Sequence, residues 1–194
     1  MKKLIKRYIA VIIIILFFAA CSGIGSKILY VAQKNDTVLK SIGIVNLVSD
    51  STNLKICPNI IEVSDSAIKA GLQESKEIDF KFFDYEKDSA DINNNTTEFC
   101  TNNNLDGIIF VDLRFINVHY TVAFIPLSEE YHSESKISLF NKNGKNLIRT
   151  SHNTSRGGQY VTTPSTAQTV YDAIEIALKE LLFQTKKLNE RSAN

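Results

Sequence analysis

The chain has 194 residues, 44% of them hydrophobic, and a formal net charge of +1 from 22 Lys+Arg against 21 Asp+Glu. That is one domain's worth of sequence with enough length for a core. Balanced charge with no clustered basic surface excludes the electrostatic footprint of a nucleic-acid binder.

The N-terminus is the most informative stretch. Lys2, Lys3, Lys6 and Arg7 precede an uncharged run of 13 residues from Tyr8 to Ala20, which ends in Phe17-Phe18-Ala19-Ala20-Cys21. Thirteen residues suit the apolar region of a signal peptide and fall short of a membrane span. Small residues directly before a cysteine are what the lipoprotein signal peptidase requires. Residues 1–20 are therefore expected to form a lipoprotein signal peptide, with Cys21 as the lipidated first residue of the mature chain. Two or three acyl chains, of the palmitate class, anchor a protein firmly where one holds it only reversibly. Ser22 stands where an Asp would favour inner-membrane retention, and Ser22-Gly23-Ile24-Gly25-Ser26-Lys27 lacks the acidic cluster of surface-exported lipoproteins. The expected location is the outer membrane, facing the periplasm, with the membrane itself as one partner. Loss of residues 1–20 leaves 174 residues and 18 Lys+Arg against 21 Asp+Glu, a formal −3.

Residues 21–37 read as a lipidated tether of small and polar residues in which Ile28, Leu29, Tyr30 and Val31 suggest a short strand at its end. A single α/β domain is expected over residues 38–188, with 189–194 as a tail. Ser41 to Ser49 is a β-rich apolar run of the kind buried on both faces of a sheet. Cys57-Pro58-Asn59 breaks the chain, after which Ile60, Ile61, Ser64, Ala67, Ile68, Gly71 and Leu72 recur at helical spacing. Phe80, Phe82, Phe83 and Tyr85 place a second strand over Asp79 to Glu86. Asn93 to Asn104 is expected as a short crossover helix despite its poor propensity.

Ile108-Ile109-Phe110-Val111-Asp112-Leu113 is the strongest strand signal. It alternates on through His119, Tyr120, Val122 and Phe124, with a bend expected near Ile116 to Val118. Ser135 to Phe140 and Asn146 to Ser151 flank Asn141-Lys142-Asn143-Gly144-Lys145, a hairpin in which Asn-Gly supplies positive φ. The last element is a helix, with Thr163 as cap and Pro164 at its first position. Its apolar stripe is Ala167, Val170, Tyr171, Ile174, Ala177, Leu178, Leu181 and Leu188. The expected fold is α/β, a mixed sheet of about five strands with two crossover helices, a β-hairpin and a C-terminal helix packed on it.

Cys57 and Cys100 sit in a compartment that permits disulfides. They are either two buried thiols or a bridge closing a loop of 44 residues, worth about 4 kcal/mol in the chain-entropy model. Ser66-Ala67-Ile68-Lys69 matches the SxxK spacing of penicillin-recognising enzymes without the KTG that accompanies it. His119, His132 and His152 have no paired metal-binding spacing, and Gly23-Ile24-Gly25 lacks the third glycine of a dinucleotide site. No catalytic residue, metal or cofactor is expected. By elimination, partner binding is expected in two polar loops, Glu129 to Ser135 and Thr154 to Thr162, which carry Glu129, Glu130, Tyr131, His132, Arg156 and Tyr160. Tyr131, Arg156 and Tyr160 are the foremost candidates.

The order of elements resembles a periplasmic lipoprotein group. It includes the curli-secretion channel lipoprotein, the outer-membrane activators of penicillin-binding proteins and the amino-terminal domain of the Tol–Pal propeller protein. The strings that carry the resemblance are Ile42-Gly43-Ile44-Val45, Phe80-Lys81-Phe82-Phe83, Leu105-Asp106-Gly107-Ile108-Ile109, Ser138-Leu139-Phe140-Asn141-Lys142-Asn143-Gly144-Lys145 and the helix from Ala167 to Leu182. They cover about residues 41–188, and they are structural motifs that imply a fold more than a function. The chain lacks the proline-rich tether of the penicillin-binding-protein activators. It also has little room for the long membrane hairpins of the channel protein once the domain is built. The functional expectation is a lipid-anchored, non-catalytic binding or assembly module with an envelope protein partner. The alternatives are a subunit of a ring-shaped envelope export assembly or an envelope enzyme subunit.

Overall fold

The computed structural model describes residues 25–48, 51–73, 75–83, 96–122, 125–157 and 165–193, with the backbone alone along 117–122 and 125–130. Six strands form one mixed sheet in the order β1-β6-β5-β4-β2-β3. The strands are β1 Gly25–Val31, β2 Ser41–Asn46, β3 Asp79–Phe83, β4 Gly107–Val122, β5 Ile125–Asn141 and β6 Asn146–Gly157. The helices are α1 Ser51–Ile56, α2 Ile60–Leu72, α3 Thr96–Asn102 and α4 Thr166–Ala193.

β2 is the parallel centre of the sheet. It pairs in parallel with β3 on one side and β4 on the other, and Ile42, Gly43, Ile44 and Val45 are all buried. A strand covered on both faces has no polar face to show, which is why its sequence reads as an unbroken apolar run. The chain steps outward from β2 to β3 through α2, then back past β2 to β4 through α3. Two right-handed crossovers in opposite directions place their helices on opposite faces. The core is divided accordingly. Ile44, Ile109, Val111, Ile137 and Leu139 pack beneath α2 and α4, while Val45 and Ile108 pack beneath Phe99 and Cys100 of α3.

The sixth strand is β1. It occupies the end of the stretch read as tether and pairs antiparallel with β6, Gly25 opposite Asn153 and Val31 opposite Ile148. α4 likewise continues through the residues read as tail, to Ala193. Its buried residues run from Thr169 and Val170 to Leu188 on one stripe. The helix is capped by Ser165, whose Oγ accepts the Gln168 N–H at 3.2 Å. Thr163 and Pro164, the expected cap and first residue, lie outside the described residues.

The hairpin between β5 and β6 forms as expected, by a different device. Gly144 alone has a positive φ, 75°, and Asn143 does not. The turn is held instead by the buried Asn141, whose Oδ1 accepts the N–H groups of Asn143 and Lys145, both at 3.0 Å. The long strand expected to run past Phe124 turns back instead as a β4–β5 hairpin, and its pairing runs unbroken through Ile116 to Val118, where a bend was expected. β4 continues to Val122 and β5 begins at Ile125, in register except for a shift at Tyr120/Thr121. Residues 129–135, expected as a loop, are strand.

Candidate interaction surface

β6 positions 148, 150, 152, 154 and 156 alternate onto the face covered by α4. Three of these, with two from β5, are hydroxyl or imidazole groups where apolar residues are usual. Ser133, Ser135, Thr150 and Thr154 donate to the carbonyls of Thr169, Ala173, Ala177 and Thr169, at 2.9, 2.5, 2.9 and 3.2 Å. The hydroxyls donate to carbonyls of the helix, two of them sharing that of Thr169, so small polar residues are satisfied in the core while the helix lies close to the sheet.

Beyond this row, at the end of β6, the polar groups become accessible. Arg156 is exposed and donates from Nε to Asp172 Oδ2 at 3.1 Å, with Nη2 bonding the same oxygen. Gln168 Nε2 donates to Asp172 Oδ1 at 2.6 Å. His152 is buried, with Nδ1 2.8 Å from Ser26 Oγ on β1. Burial pushes the His152 pKa below its ordinary 6.5, and the Asp172 carboxylate opposes this. The imidazole is therefore neutral at pH 7. Ser26, His152 and Asp172 are the residue types of a nucleophilic triad, but the third member is committed elsewhere. A triad carboxylate holds the imidazole N–H, whereas both Asp172 oxygens are taken by Arg156 and Gln168. The group ties β1, β6 and α4 together.

Among the described residues, helix packing covers the other face of the sheet only at one end. α3 packs over Val45 and Ile108, and Phe110 meets Phe140 edge to face at 5.7 Å. Further along β4 and β5 the same face is open. Asp112, Arg114, Ile116 and Lys136 are exposed there, and Arg149 of β6 extends the row. Asp112 is paired across the strands with Lys136, and Arg114 with Glu134. This uncovered, mixed-charge face around Ile116, 44% exposed, is the candidate protein-binding surface.

At the opposite end of the molecule an open cleft of about 680 Å³ lies between α4 and the start of β2 and β3. Lys40, Lys76, Lys186 and the half-exposed Phe183 line it, and Lys187 Nζ lies 4.2 Å from the centroid of the Phe183 ring.

The residues singled out in the sequence are scattered. Cys21 and Tyr160 lie outside the described residues, and for Glu129 and Glu130 only the backbone is described. Tyr131 is a correction. It is 8% exposed, faces the α4 side of β5 and stacks on Phe115 at 6.0 Å, so it belongs to the core. Arg156 is exposed as expected, in an ion pair that the sequence reading did not foresee. Cys57 and Cys100 are free. They are buried on opposite faces of the sheet, in the two separate core clusters, so a bridge is ruled out. Burial raises the Cys100 thiol pKa to about 11, which makes it inert. Ser66 and Lys69 are both exposed on α2. Among the described residues no group of His, Cys, Asp or Glu is arranged to hold a metal ion, and no helix is long and apolar enough to cross a membrane.

No protein-family model matches the chain, and no curated protein matches it. Among solved structures it is similar to the PelC dodecamer from Paraburkholderia phytofirmans, at 12% identity over 81% of this chain and 97% of that one, with a TM-score of 0.46. It is similar to lipoprotein GNA1162 from Neisseria meningitidis at 15% identity over 76% and 99%, TM-score 0.43. A minor lipoprotein from Acinetobacter baumannii follows at 10% over 79% and 93%, TM-score 0.39.

Proposed function

We propose that the protein is a lipid-anchored lipoprotein of the bacterial cell envelope, held in the outer membrane facing the periplasm, and that it acts there as a non-catalytic binding or assembly module. The observation that carries this reading is the N-terminal string itself: a basic flank, a 13-residue uncharged run, then Ala19-Ala20-Cys21. The binding role draws support from the open sheet face. Arg114 lies next to the exposed Ile116 on this face, and Asp112, Lys136 and Arg149 continue it as a row of exposed charges along the strands. The non-catalytic role draws support from the Ser26–His152–Asp172 group, whose carboxylate bonds Arg156 and Gln168 in place of the imidazole.

Site-specific photo-crosslinking from position 114 or 136, in the native envelope with the acylated protein, tests the reading. Capture of a defined envelope protein, lost when Ile116→Asp is introduced, is the expected result. Crosslinks to no protein, or capture indifferent to Ile116→Asp, would contradict the binding role assigned to this face.

A further inference from the structure

β1 ends the sheet, and among the described residues its outer edge has no partner. Ile28, Leu29 and Tyr30 follow one another along it and are 50%, 47% and 46% exposed. An edge strand with three consecutive exposed apolar side chains invites coverage, and soluble domains usually blunt such an edge. Two features of the chain bear on what covers it.

The first is reach. Only three residues, four Cα–Cα steps, separate Cys21 from Gly25, where β1 begins. At full extension they span about 14 Å, so an acylated Cys21 keeps the start of β1 within that distance of the acyl chains. The second is the interruption of the edge. The β1–β6 register shifts between Ile28 and Tyr30, which leaves Leu29 as a bulge. A bulge disrupts the regular ladder that a second strand would need, and a lipid surface requires no such ladder. Tyr30 also suits an interface, since its ring is apolar and its hydroxyl polar.

Resting on the lipidation reading above, we propose that the outer edge of β1, through Ile28, Leu29 and Tyr30, lies on the bilayer that holds the anchor, so that the sheet stands edge-down on the membrane. The alternative seating is end-on. Gly25 is level with Asn153 on β6, Glu134 on β5 and Arg114 on β4, and β4 continues eight residues further to Val122. That projection is about 26 Å, longer than the tether reaches, so end-on seating drives the hairpin into the bilayer. Edge-down seating lays the strands along the surface instead. Position 30 separates the two: it is five residues up the strand from Gly25, beside the membrane only when the edge is down.

The chain has no tryptophan, so one introduced residue reports alone. The experiment uses the full acylated protein carrying Tyr30→Trp in phosphatidylethanolamine–phosphatidylglycerol vesicles, with bromine near the headgroup end of the acyl chains. Leu29→Trp serves as a second reporter and Phe183→Trp, on the far side at the cleft, as the reference. The expected result is blue-shifted emission quenched about twofold at positions 29 and 30, with position 183 unquenched. Equal quenching at all three positions, on protein shown to be acylated and to float with the vesicles, overturns the docking and leaves the anchor intact. Protein recovered from its native envelope without acylation at Cys21 overturns the anchor and the docking with it. A blue shift at position 30 that rises with protein concentration in the absence of lipid assigns the edge to a second copy of the chain and also overturns the proposal.

Discussion

Gly71→Ala tests the packing of α2 on α4, because its effect should reverse sign with the residue opposite. A Cβ built on Gly71 lies 2.9 Å from Leu178 Cδ2, 3.2 Å from Cγ and 3.3 Å from Cβ. Both residues are buried, and Leu178 is fully so. Replacing a helical glycine by alanine gains about 1 kcal/mol in backbone propensity, while overpacking a close contact costs about 1–3 kcal/mol. The substitution should therefore destabilise the domain by about 1 kcal/mol. Leu178→Ala alone should cost about 2–5 kcal/mol through the cavity it leaves. In that background the two closest contacts, with Cδ2 and Cγ, disappear, only the 3.3 Å contact with the retained Cβ is left, and the propensity gain outweighs it. The same substitution should then stabilise by about 1 kcal/mol, a coupling of about 2 kcal/mol between the sites. Urea denaturation of a soluble domain starting at Ser22 measures all four members of the cycle, with an unchanged m-value as the two-state check. Equal destabilisation by Gly71→Ala in both backgrounds would refute the proposed contact.

Tyr131→Ala should lose about 3–5 kcal/mol of stability in the same assay, because the ring is buried against Phe115. Arg156→Ala should lose about 1 kcal/mol or less, since its ion pair with Asp172 is partly solvated. Reversal of that order would mean that Tyr131 is not part of the core. In the domain starting at Ser22, without reductant, a denaturing thiol titration should find both Cys57 and Cys100 reactive, and native alkylation of Cys100 should be slow because burial raises its pKa to about 11. His152 gives a pH dependence with a definite sign. Above its ordinary pKa of 6.5 the imidazole is neutral in both the folded and unfolded chain, whereas below 6.5 the unfolded chain takes up a proton that the folded chain resists. Stability should fall as pH drops below 6.5, and His152→Gln should flatten that fall; an unchanged slope in the variant would show that His152 is not the group responsible.

The parts of the fold that could be read from sequence are those where side-chain type follows burial. The continuous apolar run of β2, the helical stripe of α2 and that of α4 were legible for this reason. β5 was half hidden because Ser133 and Ser135 face the core. Their hydroxyls are satisfied by α4 carbonyls, and a polar letter at an inward position breaks the alternation that marks a strand. Residues 129–135 consequently read as a loop, and Tyr131 as an exposed anchor. β1 was underestimated because an edge strand with exposed apolar residues looks like the end of a tether. α1 is only six residues long, too short to establish a period. The sequence left Cys57 and Cys100 open as a bridge or as two buried thiols, because it does not show which face each crossover covers. The second crossover runs over the opposite face, and that separates them by the thickness of the sheet. The open face around Ile116 had no signal of its own, since Asp112, Arg114 and Lys136 are ordinary outward residues of alternating strands.

The lipid anchor is the claim on which envelope location and membrane docking both depend. Mass spectrometry of the N-terminal peptide from protein isolated from its native envelope tests it most directly. The account predicts a chain beginning at Cys21, with diacylglycerol on the thiol and residues 1–20 absent. An unmodified Cys21, or an N-terminus that retains Met1 to Ala20, would contradict it.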